Sequence, residues 1–140
     1  MPETRRSFSS DADELDYLAD KIRFWLYERG RPILADRRFG GRFNHLLRRN
    51  AKRLEGSIAL HLHSALLYDL RGDLEREIRH RETAVRLIRR LLDVGGPVGG
   101  FDEQRLADET AILASVYEDA GMPPDAAMAK TRRIACSPSG

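Results

Sequence analysis

Apolar residues recur with helical spacing along most of the chain, and the sharpest stripe is Leu74, Ile78, Val85, Ile88 and Leu92, widened by Ala84, Leu87 and Leu91. A period of 3.6 predicts an amphipathic helix with one apolar face. Glu75/Arg79, Glu77/Arg81 and Glu82/Arg86 follow at i,i+4 with the acid first, on the other face. Each such pair adds only about 0.2–0.5 kcal/mol, so packing has to hold the helix. Arg71-Gly72-Asp73 breaks the chain just before it. Gly72 suits a left-handed position past a helix end, and Asp73 suits the N-cap of the next helix. So short a connection folds two helices back on each other. The preceding stripe, Leu47, Ala51, Leu54, Ile58, His61, Ala65 and Tyr68, alternates steps of four and three, a coiled-coil-like seam. It predicts either one helix from His45 to Leu70, running through Gly56 at a cost of about 1 kcal/mol, or two helices meeting near Gly56, with the single helix preferred.

The remaining elements are set by caps and breaks. Residues 1–10 lack periodicity and are expected to form a mobile tail. Ser10 can cap a helix from about 11 to 29 striped by Leu15, Leu18, Ile22, Trp25 and Leu26. Tyr17, Phe24 and Tyr27 lie off that stripe, either as core or as an exposed partner face. Gly30 and Arg31-Pro32 stop the helix. Residues 33–43 are expected to form one turn and a loop, with Asn44 capping the helix that begins at His45. Val-Gly-Gly-Pro-Val-Gly-Gly at 94–100 predicts a flexible connector. Asp102 can cap a helix over about 103–120, with Leu106, Ile112, Leu113, Val116 and Tyr117 as its apolar positions, ended by Gly121. Pro123-Pro124 can start a last helix to about Ala135, before a frayed end. The expectation is an all-α single domain of about five helices. Its parts are a tail (1–10), N-terminal helices (11–56), one hairpin (57–93), a glycine-rich connector (94–101) and a second hairpin (102–136).

Ala65-Leu66-Leu67-Tyr68-Asp69-Leu70-Arg71-Gly72 shares its spacing with Ala114-Ser115-Val116-Tyr117-Glu118-Asp119-Ala120-Gly121: a small residue, two residues, Tyr, three residues, Gly. The offset from Tyr68 to Tyr117 is 49 residues. This pattern over residues 57–135 resembles the tetratricopeptide (TPR) repeat, and it continues at Ala84 and Ala126. The small residue would let the paired helix come close, the tyrosine would fill the gap, and the glycine would take the turn. The departures are specific. Glu77 stands where the family prefers a small residue, Arg81 and Lys130 where it prefers an aromatic one, and His61 and Thr110 replace a large apolar residue. The period also exceeds the usual value of about 34 residues. The resemblance implies a TPR-like stack of antiparallel hairpins, with residues 1–56 as a cap. It implies a partner groove lined by Leu62, Leu66 and Asp69 in one repeat and by Ala111, Ser115 and Glu118 in the other. That mixture of acidic and apolar groups would suit a helix or extended peptide with basic groups.

Composition narrows the class. At 140 residues and 15.9 kDa the chain can bury a core without disulfide or metal. Its single cysteine, Cys136, cannot form an internal disulfide. Met1 to Ser10 has no apolar run of the signal-peptide kind and nothing reaches a membrane span, so a reduced, cytoplasmic protein is expected. The net charge of +2 hides segregation. Residues 1–20 carry six acidic and two basic groups, residues 21–53 eleven basic and two acidic, and residues 94–140 seven acidic and four basic.

Candidate chemistry is thin. His61 and His63 lie about 200° apart on a helix, so no metal is expected, and His61 reads as a hydrogen-bonded core histidine. No nucleophile elbow, phosphate loop or paired-carboxylate signature appears, so neither catalysis nor a cofactor is expected. The strongest binding feature is Arg37, Arg38, Arg42, Arg48, Arg49, Lys52 and Arg53, with Phe39 and Phe43 between them. On one helix Arg48/Lys52 and Arg49/Arg53 would stack like charges. The cluster either meets an anion such as nucleic acid, or is neutralised by the acidic segments of its own chain. So short a hairpin turn does not support base reading by a helix-turn-helix. The function expected is a non-catalytic protein-interaction or scaffold module, binding another protein or a second copy of itself. A nucleic-acid or phosphate-binding accessory is the alternative.

Overall fold

The computed structural model describes residues 7–136, and all their regular structure is helical. The expected frayed end (137–140) and most of the expected tail lie outside the described residues. Within them, Phe8 is half-buried with its ring 5.3 Å from that of Tyr17.

Helix α1 (Asp11–Arg23) is capped by the Ser10 side chain, which accepts from the Asp13 N–H, and runs on as a π-helical turn, Phe24–Glu28. Gly30, at φ +61°, ends it. Two expectations fail next. The loop expected over 33–43 is helical: α2 (Pro32–Ala35) passes through a π turn (Asp36–Gly40) into α3 (Gly41–Arg49) as one rod, with Asn44 inside it. Ala35, Phe39, Phe43 and Leu46 form its inward stripe. The Gly-Gly pair disguised that stripe; a Cβ at Gly40 would lie 1.9 Å from the Asp36 carboxylate as it stands, so that side chain would have to turn away. That carboxylate also pairs with Arg71 across the fold. The helix expected through Gly56 is likewise broken. A 3₁₀ segment (Ala51–Gly56) follows α3, and α4 (Ile58–Arg71) starts afresh. The Ser57 side chain accepts from the Leu60 N–H, which gives the new helix its own cap. The rods number six among the described residues, against the five expected.

The two hairpins come next: α4 with α5 (Leu74–Val94), then α6 (Glu103–Asp119) with α7 (Pro124–Cys136). Their turns close in the same way. The Asp73 N–H donates to Tyr68 O at 2.9 Å and the Gly72 N–H to Asp69 O at 3.2 Å. The Met122 N–H donates to Tyr117 O at 3.0 Å and the Gly121 N–H to Glu118 O at 2.9 Å. Gly72 and Gly121, at φ +75° and +98°, supply the left-handed residue this closure needs. The glycine connector, expected to be flexible, is drawn shut where Val98 and Phe101 exchange hydrogen bonds of 3.3 and 3.1 Å.

Apolar burial falls into two clusters. Leu15, Leu18, Ile22, Phe43, Leu46 and Leu66 gather α1, the α2–α3 rod and α4. Val85, Ile88, Leu106, Leu113, Tyr117 and Ile134 gather α5, α6 and α7. Each fully buried Leu or Ile contributes about 1.5–3 kcal/mol. The long α4–α5 contact joins the two clusters. Along α4, His61 meets His80 of α5 at 3.0 Å between their Nδ1 atoms, with one nitrogen donating and the other accepting. Tyr68 stacks on the His80 ring at 5.6 Å. His63 faces the other way, toward Asp16 and the Phe43 ring. Of the aromatics off the first stripe, Tyr17 packs on the first cluster, whereas Phe24 and Tyr27 are exposed.

Candidate partner-binding cleft

Where α1, α4, α5 and α6 meet, they leave a cleft of about 430 Å³. Each helix supplies residues at i, i+3, i+4 or i+7, one face apiece: Leu62, Leu66 and Asp69; Leu74, Glu77 and Arg81; Ile112, Ser115, Val116 and Asp119. Arg23 and Tyr27 form the rim on the first helix. Four of the groove residues that the TPR resemblance implies, Leu62, Leu66, Asp69 and Ser115, therefore line one cleft. Glu118 and Ala111 do not line it. Both are exposed, one helical step away from the face that Ser115 and Asp119 share.

The floor is charged. Arg81 donates from Nε to Glu77 at 2.9 Å, and both side chains are more than nine-tenths buried. Glu109, also buried, lies 3.9 Å from Arg81 and accepts from Arg105 at 2.8 Å. Burial pushes the Glu77 carboxyl above its ordinary range against the pull of Arg81, and the nearby charges of Asp69 and Asp119 push it the same way. At the mouth the Tyr27 hydroxyl donates to Asp69. Enclosure of that hydroxyl, and then its bond to Asp69, hold it above the usual phenol range.

Sequence reasoning missed this floor, because Glu77/Arg81 reads as a solvated i,i+4 pair. The available signal was that both charges sit where the resembling repeat carries small and aromatic inward residues. Glu82 also departs from its expected partner, Arg86. It accepts from the Tyr117 hydroxyl and lies 3.8 Å from Lys130, tying one hairpin to the other. Lys130 in turn lies over the Tyr117 ring at 4.8 Å.

The basic cluster divides. Arg42 makes two hydrogen bonds to Glu14, at 2.8 and 2.9 Å, and Arg49 two to Asp11, at 3.0 and 2.6 Å. Hydrogen bonds from Arg49 and Asn50 hold the Asp11 carboxyl down at about 2. Those two cations are thus neutralised by the acidic first helix. Arg38 lies over the Trp25 ring at 5.6 Å. Arg37, Arg48, Lys52 and Arg53 are exposed and have no ion pair among the described residues. The like-charge stacking expected for Arg48/Lys52 and Arg49/Arg53 does not occur, because the helix ends at Arg49.

His61 and His63 point to opposite sides of α4, and among the described residues no three His, Cys, Asp or Glu side chains group as metal ligands would. No described helix is long and apolar enough to cross a membrane. No protein-family model, curated protein or solved structure matches this chain, so the cleft has to be interpreted through its own chemistry.

Proposed function

We propose that the chain is a non-catalytic protein-interaction module, a cytoplasmic scaffold of TPR-like type, whose partner lies in the cleft between its hairpins. The observation that carries this reading is the convergence of Leu62, Leu66, Asp69 and Ser115 on one cleft. The matching closures at Gly72 and Gly121 support the underlying repeat. In this reading Leu74 and Ile112, the accessible apolar side chains of the cleft, give up water to an apolar partner surface, and the charged rim sets its orientation. Ser115 lines the cleft and lies outside the buried core, so Ser115→Trp fills the cleft without entering the core. Arg90 is exposed on α5 outside the cleft, and Arg90→Trp serves as the control. Partners that co-purify with the tagged chain should be lost with Ser115→Trp and kept with Arg90→Trp. Equal retention by both refutes the reading.

A second reading, a nucleic-acid or phosphate-binding accessory, is favoured by the four exposed cations Arg37, Arg48, Lys52 and Arg53. Four phosphate contacts would give a slope of roughly −3 to −4 in log K against log salt. No gel shift at low salt disposes of it.

A further inference from the structure

We propose that the cleft accepts the side chain of an arginine or lysine from a basic segment of a partner protein, held between Asp69 and Asp119, and that this group displaces Tyr27 as it enters. The inference rests on the cleft being a partner groove and specifies what it recognises. The charges around the cleft pair off unevenly. Arg23 pairs with Asp20 at 3.3 Å, Arg81 with Glu77 at 2.9 Å and Arg105 with Glu109 at 2.8 Å. Every guanidinium on the cleft thus has its own carboxylate. Two cleft carboxylates remain: Asp119 and Asp69 have no ion pair among the described residues, and Asp69 accepts from the neutral phenol of Tyr27. The surplus is negative, and it lies above apolar walls.

That combination suits a long cationic side chain. Its methylenes can lie along Leu74 and Ile112, the accessible apolar side chains of the lining, while its head reaches the carboxylates. An anionic or purely apolar side chain would leave Asp69 and Asp119 uncompensated. Tyr27 sits on the π turn after α1, is 55% exposed, and closes over the cleft mouth through Asp69. A guanidinium or ammonium brings a full positive charge and several N–H donors to the Asp69 carboxylate, where Tyr27 offers one uncharged O–H. Tyr27 is therefore a competitor for the site rather than part of the binding surface.

The probe is fluorescein-labelled hexa-arginine, with hexa-lysine and hexa-glutamate alongside, titrated by fluorescence anisotropy against the full chain at low salt. Asp69→Asn and Asp119→Asn should each weaken hexa-arginine binding by about tenfold or more. Glu75→Gln, on the exposed outer face of α5, should change nothing. Tyr27→Phe should tighten binding severalfold, which a merely structural tyrosine would not do. Helix content by circular dichroism confirms that each variant is folded. Wild-type affinity in both Asn variants, weaker binding in Tyr27→Phe, or preference for hexa-glutamate overturns the proposal. Self-association that Asp119→Asn abolishes would support it, with a basic segment of a second copy as the occupant. If Ser115→Trp loses the natural partner while hexa-arginine ignores Asp69→Asn, the groove stands and the cationic ligand falls.

Discussion

Replacing Arg81 by methionine keeps much of its stem and removes its charge. The Glu77 side chain is 5% exposed, and it accepts a hydrogen bond from the Arg81 nitrogen 2.9 Å away. Breaking one side of a buried ion pair costs about 3–5 kcal/mol, because the remaining charge is left in a poor environment. The cleft admits water above this floor, so the lower end applies, about 3 kcal/mol. For a chain of this size each kcal/mol lowers Tm by about 3 °C, so the expected drop is about 9 °C. Urea denaturation followed by circular dichroism reads the loss directly. The Glu77→Leu/Arg81→Met double variant should lie within about 1 kcal/mol of the wild type, since it removes both charges together. Glu109 keeps its bond to Arg105 in both variants. The pH dependence has a definite sign. Burial already holds the Glu77 carboxyl above its ordinary range, so the Arg81→Met penalty is full where Glu77 is ionised and shrinks as acid protonates it. The variant should therefore be closer to the wild type at about pH 4 than at about pH 8. A single-variant cost below about 1 kcal/mol would refute the compensation argument. A double variant as unstable as the single would show that the loss is one of packing.

The caps, turns and histidines yield further expected outcomes. Ser57→Ala should cost about 1 kcal/mol in chemical denaturation, since that hydroxyl caps α4; no loss would mean the break near Gly56 is not held there. Gly121→Ala places a side chain at φ +98° with nothing to strike, so about 1–2 kcal/mol of backbone strain alone should appear in thermal melts. Burial holds His63 and His80 below the ordinary imidazole range, so both fold in the neutral form. Their contribution is full above a pH of about 6.5 and is lost as pH falls through their folded values, so Tm should drop between about pH 7.5 and about pH 5.5. A flat profile would contradict that assignment. Tyr117→Phe should destabilise by about 1 kcal/mol by leaving Glu82 short of a donor, measured as a shift in the urea midpoint.

The second half of the fold was legible because its signals are local. Asp73 and Asp102 each cap the helix they precede, and Gly72 and Gly121 each take a left-handed turn. The N-terminal half misled where two cues conflicted. Gly40-Gly41 argued for a loop against the Ala35–Phe39–Phe43–Leu46 stripe, and burial decided for the stripe. At Gly56 a continuous seven-residue rhythm argued for one helix, and the Ser57 cap decided against it. Leu62, Leu66, Asp69 and Ser115 in the cleft were reachable through the TPR resemblance, whose groove positions share one face of each hairpin's first helix. The cleft floor was not, because Glu77 and Arg81 have the same spacing whether they face water or each other inside a fold. Asp119 and Tyr27 were out of reach for a different reason. Their sharing one cleft depends on how α1 is placed against α4 and α6 against α5, which no local pattern encodes.

The division of the apolar interior into two clusters bears on how this molecule comes apart. Helix α7 rests on α5 and α6 and makes no comparable contact with the first three rods. The second hairpin is therefore the natural sub-global opening unit, able to exchange its amides while α1 to α4 stay protected. Such an event would pull apart Tyr117 and Glu82 and remove one wall of the cleft, so anything gripped there would slow hydrogen exchange far along the chain, in α7, where it makes no contact.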